Sequence, residues 1–177
     1  MEDRFYSFGT PRLVIEHRQA TPSADRRSLA VAVAGLMTEP VTRDLPEAWH
    51  GSFSVERAEE WLGEQFREGP VLVVSERSTA DVIGLMLLFE DRVGPSGPVV
   101  LRLGYLLAES CWGQGYASEL IGGFVGMCRS QSDIGSVAGG VARTNHASRR
   151  VLEKNGFVAE PQSDDDSEVL FVLDLAR

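Results

Sequence analysis

The sequence predicts an α/β fold, a mixed β-sheet flanked by helices. Three observations carry that prediction. Short runs such as "RLVIEHR" (12–18) and "VLVVSE" (71–76) are rich in branched apolar residues over strand lengths. From Ser54 to about Glu68, Val55, Ala58, Trp61, Leu62 and Phe66 recur at helical spacing. After several strand runs, strand–helix–strand units follow, and that order implies helices layered on a sheet of mixed direction.

Taken in order, Arg12 to Arg18 alternates and reads as an opening strand. Ser23 and Asp25 are placed to start a helix through "DRRSLAVAVAGLM", whose end Gly35 weakens. Pro40 to His50 reads as a loop. Ser54 is the candidate cap of the next helix, although Arg57 three residues on leaves the capping box incomplete. Gly69 and Pro70 stop it. "VLVVSE" and "DVIGLMLLFE" (81–90) are strands joined by a turn over 78–81. "RVGPSGP" is a turn-rich loop, and "VVLRLGYLL" is a third long strand. A helix is expected from about Tyr116 to Arg129, then a strand over "IGSVAGGVA". "NHASRRVLEKNG" is a helix with Asn145 as its cap and Gly156 as its stop. Phe157 onward and "EVLFVLDL" form a closing strand pair around the acidic "SDDDSE". With 177 residues and no internal repeat, one domain over 1–177 is expected, and 43% hydrophobic residues suffice for a core.

The bulk composition excludes several classes. No window approaches the ~20 apolar residues of a membrane span, and "MEDRFYSFGTPRL" has no apolar signal core, so no membrane role is expected. Cys111 and Cys128 make neither a metal-type pair nor a disulfide framework, and a reduced, cytoplasmic protein is expected. A net charge of −9 argues against nucleic acid as a partner. It is compatible with a cationic small substrate, but plain solubility is the commoner meaning of such a charge.

The stretch "GYLLAESCWGQGYASEL" (104–120) holds the main functional signal. A strand feeds a glycine-rich turn that opens a helix. First-turn N–H groups have no partner inside a helix and lie at its positive dipole end, so they suit a phosphate, and glycine lets the backbone approach it. A Walker loop would need a Lys followed by Ser or Thr, which is not there. A dinucleotide fingerprint fits only partly: Ser118 takes its last glycine slot, and Asp133 starts a strand rather than ending one. The diphosphate of coenzyme A is the third candidate, and a turn that uses glycine for geometry alone is the fourth.

With "VARTNHASRRVLEKNGF" added downstream, the chain from about Thr10 onward resembles the GNAT acyltransferase superfamily. It looks most like the branch of ribosomal-protein N-terminal acetyltransferases (RimJ/RimL type), whose opening strand "TPRLVIEHR" also resembles. The resemblance implies a mixed sheet split between two central strands, with acyl-CoA in the split. It also implies a single acetyltransferase domain that moves an acetyl group from acetyl-CoA to a small-molecule or peptide amine. The diphosphate cradle then falls on Trp112, Gly113, Gln114, Gly115, Tyr116 and Ala117, with Ser118 following. Leu106, Leu107 and Ala108 would pair with the pantetheine arm like an added strand. Asn145 and Ser148 would lie beside the thiol, and Arg149, Arg150 or Lys154 near the 3'-phosphate. Leu152 stands where many members have a tyrosine that protonates the thiolate, and Arg102 where this branch often has an acid. A noncatalytic acyl-CoA-binding module is the alternative function. The oligomeric state is open, and a homodimer is among the states allowed.

Acyl transfer to an amine needs a neutral amine, a polarised thioester carbonyl and a proton for the thiolate. Asn145 and Ser148, three residues apart, share one helix face. Ser148 is the candidate donor to thiolate or carbonyl, and Asn145 the cap that orients the cofactor arm. Glu90 and Glu109, at strand ends, are the candidate bases, with a water chain to bulk as the alternative. His146 is expected to face solvent, and His50 and His17 have no motif around them. Cys111 reads as a small apolar filler rather than a nucleophile, because no histidine is near it in sequence. Asp164 to Asp166 would attract a cationic amine or form a solvated hairpin tip. Trp61 and Phe66 line an acceptor pocket or pack in the core, the second being the commoner fate of such residues.

Overall fold

The computed structural model describes residues 6–18, 23–92, 94, 97–161 and 167–175. Among these residues eight strands form one sheet: β1 (Phe8–Gly9), β2 (Leu13–Arg18), β3 (Val71–Glu76), β4 (Val82–Arg92), β5 (Val99–Leu107), β6 (Ile134–Ala142), β7 (Val158–Ala159) and β8 (Glu168–Asp174). Their order across the sheet is β1-β2-β3-β4-β5-β6-β8-β7. Five α-helices accompany them among the described residues: α1 (Ser23–Leu36), α2 (Glu39–Thr42), α3 (Val55–Glu68), α4 (Tyr116–Arg129) and α5 (His146–Lys154). The predicted mixed sheet flanked by helices is what forms.

The expected long elements all appear. Ser54 caps α3 by accepting from the Arg57 N–H, so the cap works without the rest of the capping box. Three small elements differ from expectation. The stretch read as a loop over 40–50 contains α2 and a 3-10 turn over Glu47–Trp49. A two-residue strand, β1, precedes the opening strand. Elements of two to four residues carry no periodicity from which to read them.

The sheet has an apolar layer on each face. Leu13, Ile15, Leu72, Met86, Leu101, Leu103 and Leu107 pack with Leu120, Ile121 and Phe124 of α4 and Leu152 of α5. Alternate positions such as Val71, Val73, Leu85, Leu87 and Leu106 pack with Ala30 and Val33 of α1 and Ala58, Trp61 and Leu62 of α3. Period-two alternation along each strand sends neighbours to opposite layers. Trp61 is 5% exposed and meets Trp49 and Phe53 edge to face, so it is core, and Phe66 packs against the same layer.

The feature that positions the site lies in the middle of the sheet. Every neighbouring pair of strands is antiparallel except β5 and β6, which run parallel. They pair only from Val99 to Arg102 on one strand and Ile134 to Ala138 on the other. Beyond that point β5 stays with β4 through Leu107, while β6 stays with β8 through Ala142. The two strands therefore part into a fork.

Candidate active site

α4 begins at the open end of the fork. β5 ends at Leu107, a 3-10 turn over Glu109–Cys111 follows, and Gly115 is the N-cap of α4. Gly113 and Gly115 have φ of 73° and 81°, a left-handed region that costs other residues roughly 1–2 kcal/mol. No side chain caps this helix, and its first turn is closed by a main-chain bond from Glu119 N to Gly115 O. The N–H groups of Tyr116, Ala117 and Ser118 precede that bond, so they belong to the unpaired first turn. The turn is braced from inside. The Trp112 indole donates to Leu107 O at 2.9 Å while its ring stays 49% exposed, and the Gln114 amide donates to Ser110 O at 2.6 Å.

A second brace comes from the start of the chain. Arg12, in the turn between β1 and β2, donates from Nη1 to Gln114 O at 3.0 Å and from Nε to Glu119 Oε2 at 2.6 Å. Its guanidinium lies 4.1 Å over the Tyr116 ring. Glu119 also accepts from Thr10 Oγ1 at 2.6 Å and from Arg12 N at 2.8 Å. Burial tends to raise the Glu119 pKa, but the bonds from Thr10 and Arg12 outweigh it and hold the carboxyl below its ordinary range. The Tyr116 hydroxyl donates to Glu76 Oε1 at 2.6 Å, and that bond raises its pKa. None of these partners of the cradle was legible in the sequence, because Arg12 and Glu119 are 107 positions apart.

Within the fork, strand alternation fixes which groups face inward. Ala108 N donates to Ile83 O, so Ala108, and Leu106 by alternation, direct their main-chain groups toward β4. The main-chain groups facing the fork are those of Leu103, Tyr105 and Leu107, and the Leu107 carbonyl already accepts from Trp112. The run Leu106 to Ala108 is thus displaced by about one residue from the inward-facing set expected from the sequence.

α5 forms the other wall. Asn145 caps it by accepting from Ser148 N at 3.0 Å, as expected. Ser148 Oγ accepts from the Tyr105 hydroxyl of β5 at 3.2 Å. Burial raises the Tyr105 pKa, against a smaller opposite effect of Ser148, so the phenol keeps its proton at neutral pH. Sequence reading missed Tyr105; it stood in view as the inward member of "LGYLL", but the pairing spans 43 positions. Arg149 Nε is buried with no hydrogen-bond partner among the described residues, whereas Arg150 and Lys154 are exposed.

Other expected residues do not join this group. Glu90 accepts a short hydrogen bond from the buried Tyr6 hydroxyl. Met86 is opposite Tyr105, and Glu90 lies four residues further along β4, roughly 13 Å at ~3.3 Å per residue. Glu109 accepts from Thr38 Oγ1 at 3.3 Å in the 3-10 turn. Arg102, in the slot where an acid was sought, pairs with Asp91 at 2.9 Å. His146 and His50 are exposed, and His17 meets Tyr6 edge to face. Cys111 and Cys128 are both buried, and Leu152 is core at 1% exposure. Asp164 to Asp166 lie outside the described residues. No group of three or more metal-type ligands occurs among the described residues.

The residues fit a coenzyme A substrate on this structure's own terms. The left-handed glycines and unpaired first-turn amides of α4 suit a diphosphate, and a buried unpartnered guanidinium nitrogen suits a further anionic group. Comparison with known proteins agrees in fold. An acetyltransferase of the GNAT family from Bacillus anthracis superposes with a TM-score of 0.75 at 17% identity, covering 97% of this chain and 99% of that one. A ribosomal-protein-S5-alanine acetyltransferase from Vibrio fischeri gives 0.70 at 16% identity, covering 96% and 97%. A spermidine N-acetyltransferase from Vibrio cholerae, in complex with CoA and spermine, gives 0.70 at 16%, covering 93% and 96%. No curated protein sequence matches. The sequence model of the acetyltransferase (GNAT) domain matches residues 13–158, a span that runs from the opening strand through the fork, cradle and α5. The chain therefore belongs to the GNAT acetyltransferase family.

Proposed function

We propose that this acetyltransferase moves the acetyl group of acetyl-CoA directly to a primary amine, with residues 1–177 acting as one catalytic domain. The carrying observation is the juxtaposition of the β5–β6 fork, the glycine-opened start of α4 at its mouth, and Ser148 on its wall. In this reading Gly113, Gly115 and the first-turn amides of Tyr116, Ala117 and Ser118 hold the diphosphate. Trp112 and Gln114 brace the turn, and the strand edge at Leu103 to Leu107 receives the pantetheine arm. Arg149 answers a phosphate through its buried Nε.

Coenzyme A supplies the acetyl thioester; the chain supplies alignment and proton traffic. Asn145 fixes the first turn of α5 and with it Ser148, whose hydroxyl is placed to donate to the departing sulfur. Glu90, bonded to Tyr6 and remote along β4, is not part of this group, so the amine loses its proton through water to bulk. The fold likeness to an S5-alanine acetyltransferase and to a spermidine acetyltransferase supports a protein N-terminus or a small polyamine as acceptor. "TPRLVIEHR", whose Thr10 and Arg12 brace the cradle, supports the RimJ/RimL branch. Two buried thiols support a reducing, cytoplasmic setting.

The test is release of free thiol from acetyl-CoA against a panel of amines and N-terminal peptides. Wild type should turn over at least one of them. Ser148→Ala should lower kcat by about 10²-fold, the usual worth of a positioned acid, with the KM for acetyl-CoA little changed. Tight CoA binding with no turnover on the whole panel would favour a noncatalytic binder.

A further inference from the structure

The fold leaves one question about Ser148. A serine hydroxyl has a single proton, and where that proton points is set by what else the oxygen meets. Leu152 is packed in the core and holds no proton, so it takes no part in protonating sulfur. The group that does reach Ser148 comes from the other wall of the fork. Tyr105, on the part of β5 that has left β6, donates its hydroxyl to Ser148 Oγ at 3.2 Å. Ser148 is independently fixed, because its own main-chain N–H is held by the Asn145 cap at 3.0 Å.

We propose that Tyr105 is a positioning residue for the thiolate's proton donor. By filling one acceptor site on Ser148 Oγ, it turns the serine's own O–H toward the fork. The inference rests on the acetyl transfer proposed above. As the acetyl carbon–nitrogen bond forms and the carbon–sulfur bond breaks, the thiolate receives a hydrogen bond, and then the proton, from Ser148. The Tyr105 hydroxyl stabilises the serine oxygen as it gives that proton up. The serine is reprotonated from the proton the acceptor amine sheds to solvent. No net charge is left on either side chain at the end of the cycle. Burial keeps Tyr105 protonated, and therefore a donor, throughout the neutral range.

The test uses two readouts. In turnover, Tyr105→Phe, which keeps the ring, should lower kcat about tenfold with little change in the KM for acetyl-CoA. The combined Tyr105→Phe and Ser148→Ala variant should be no slower than Ser148→Ala alone. In binding, calorimetry compares CoA with its S-methyl ether at a pH near the free thiol's value of roughly 8.5. Wild type should prefer CoA, because its thiolate accepts from Ser148, and Tyr105→Phe should lose most of that preference. A folded Tyr105→Phe protein that keeps both kcat and the preference overturns the proposal. If phenylalanine costs the fold, a ring-fluorinated tyrosine at 105 replaces it; its stronger donor should increase the preference, and an unchanged preference rejects the role. Wild type that binds neither ligand would instead defeat the acetyl-CoA reading on which the proposal stands.

Discussion

At Gly115 the requirement is conformational before it is chemical. Its φ of 81° places it where a Cβ is strained, although the space is open, with Arg12 Nη2 at an ordinary contact distance of 3.6 Å. Substitution therefore strains the N-cap at the point where, in the proposed reading, the first-turn amides face one anion. Gly115→Ala should cost about 1–2 kcal/mol of stability and weaken CoA binding about tenfold, measured by thermal melting and calorimetry on the same sample. Undiminished affinity would mean that the diphosphate lies elsewhere. Ser148 shows the complementary logic. The chain spends its cap, Asn145, on fixing the serine's backbone and a strand residue, Tyr105, on fixing its hydroxyl.

The brace across α4 is where elements meet. The turn between β1 and β2 delivers Thr10 and Arg12 to Glu119, one turn into α4. Glu119 is 17% exposed on its side chain and its pKa is lowered in the folded state. A carboxyl held below its unfolded value contributes stability above that value, roughly pH 4.3, and loses it as pH falls through the lowered folded value. Glu119→Gln should therefore be less stable than wild type at neutral pH, and the gap should close on acidification, as read from denaturant melts between about pH 7 and pH 3. A gap that stays constant with pH would assign Glu119 a packing role only. This brace also marks the limit of sequence reading. The glycine break, the Asn145 cap and the Ser54 cap obey local rules, so they were legible in the residues themselves. The brace and the Tyr105–Ser148 contact are made by sheet pairing between distant segments, and no local pattern encodes them. Glu90 shows the same limit: its strand end was legible, but its bond to Tyr6 and its place along β4 were not.

Across the whole molecule, the fork follows from one change of direction. Antiparallel pairs on either side hold β5 to β4 and β6 to β8, and the single parallel contact between β5 and β6 lasts only as far as Arg102. α4 and α5 then sit on the same face, against one continuous apolar layer, which brings the cradle and Ser148 to opposite parts of one opening. α1 and α3 cover the other face with a separate apolar layer. In the proposed reading, the cofactor's diphosphate and its sulfur are met by two different helices that share one apolar core. Calorimetric titration of the wild-type chain with CoA, and in parallel with pantetheine, which lacks the diphosphate, tests this arrangement most directly. CoA should bind at one saturable site and pantetheine at least about tenfold more weakly, a difference of roughly 1.4 kcal/mol or more. A folded protein that gives no heat with CoA, or that holds pantetheine as tightly, would contradict the account.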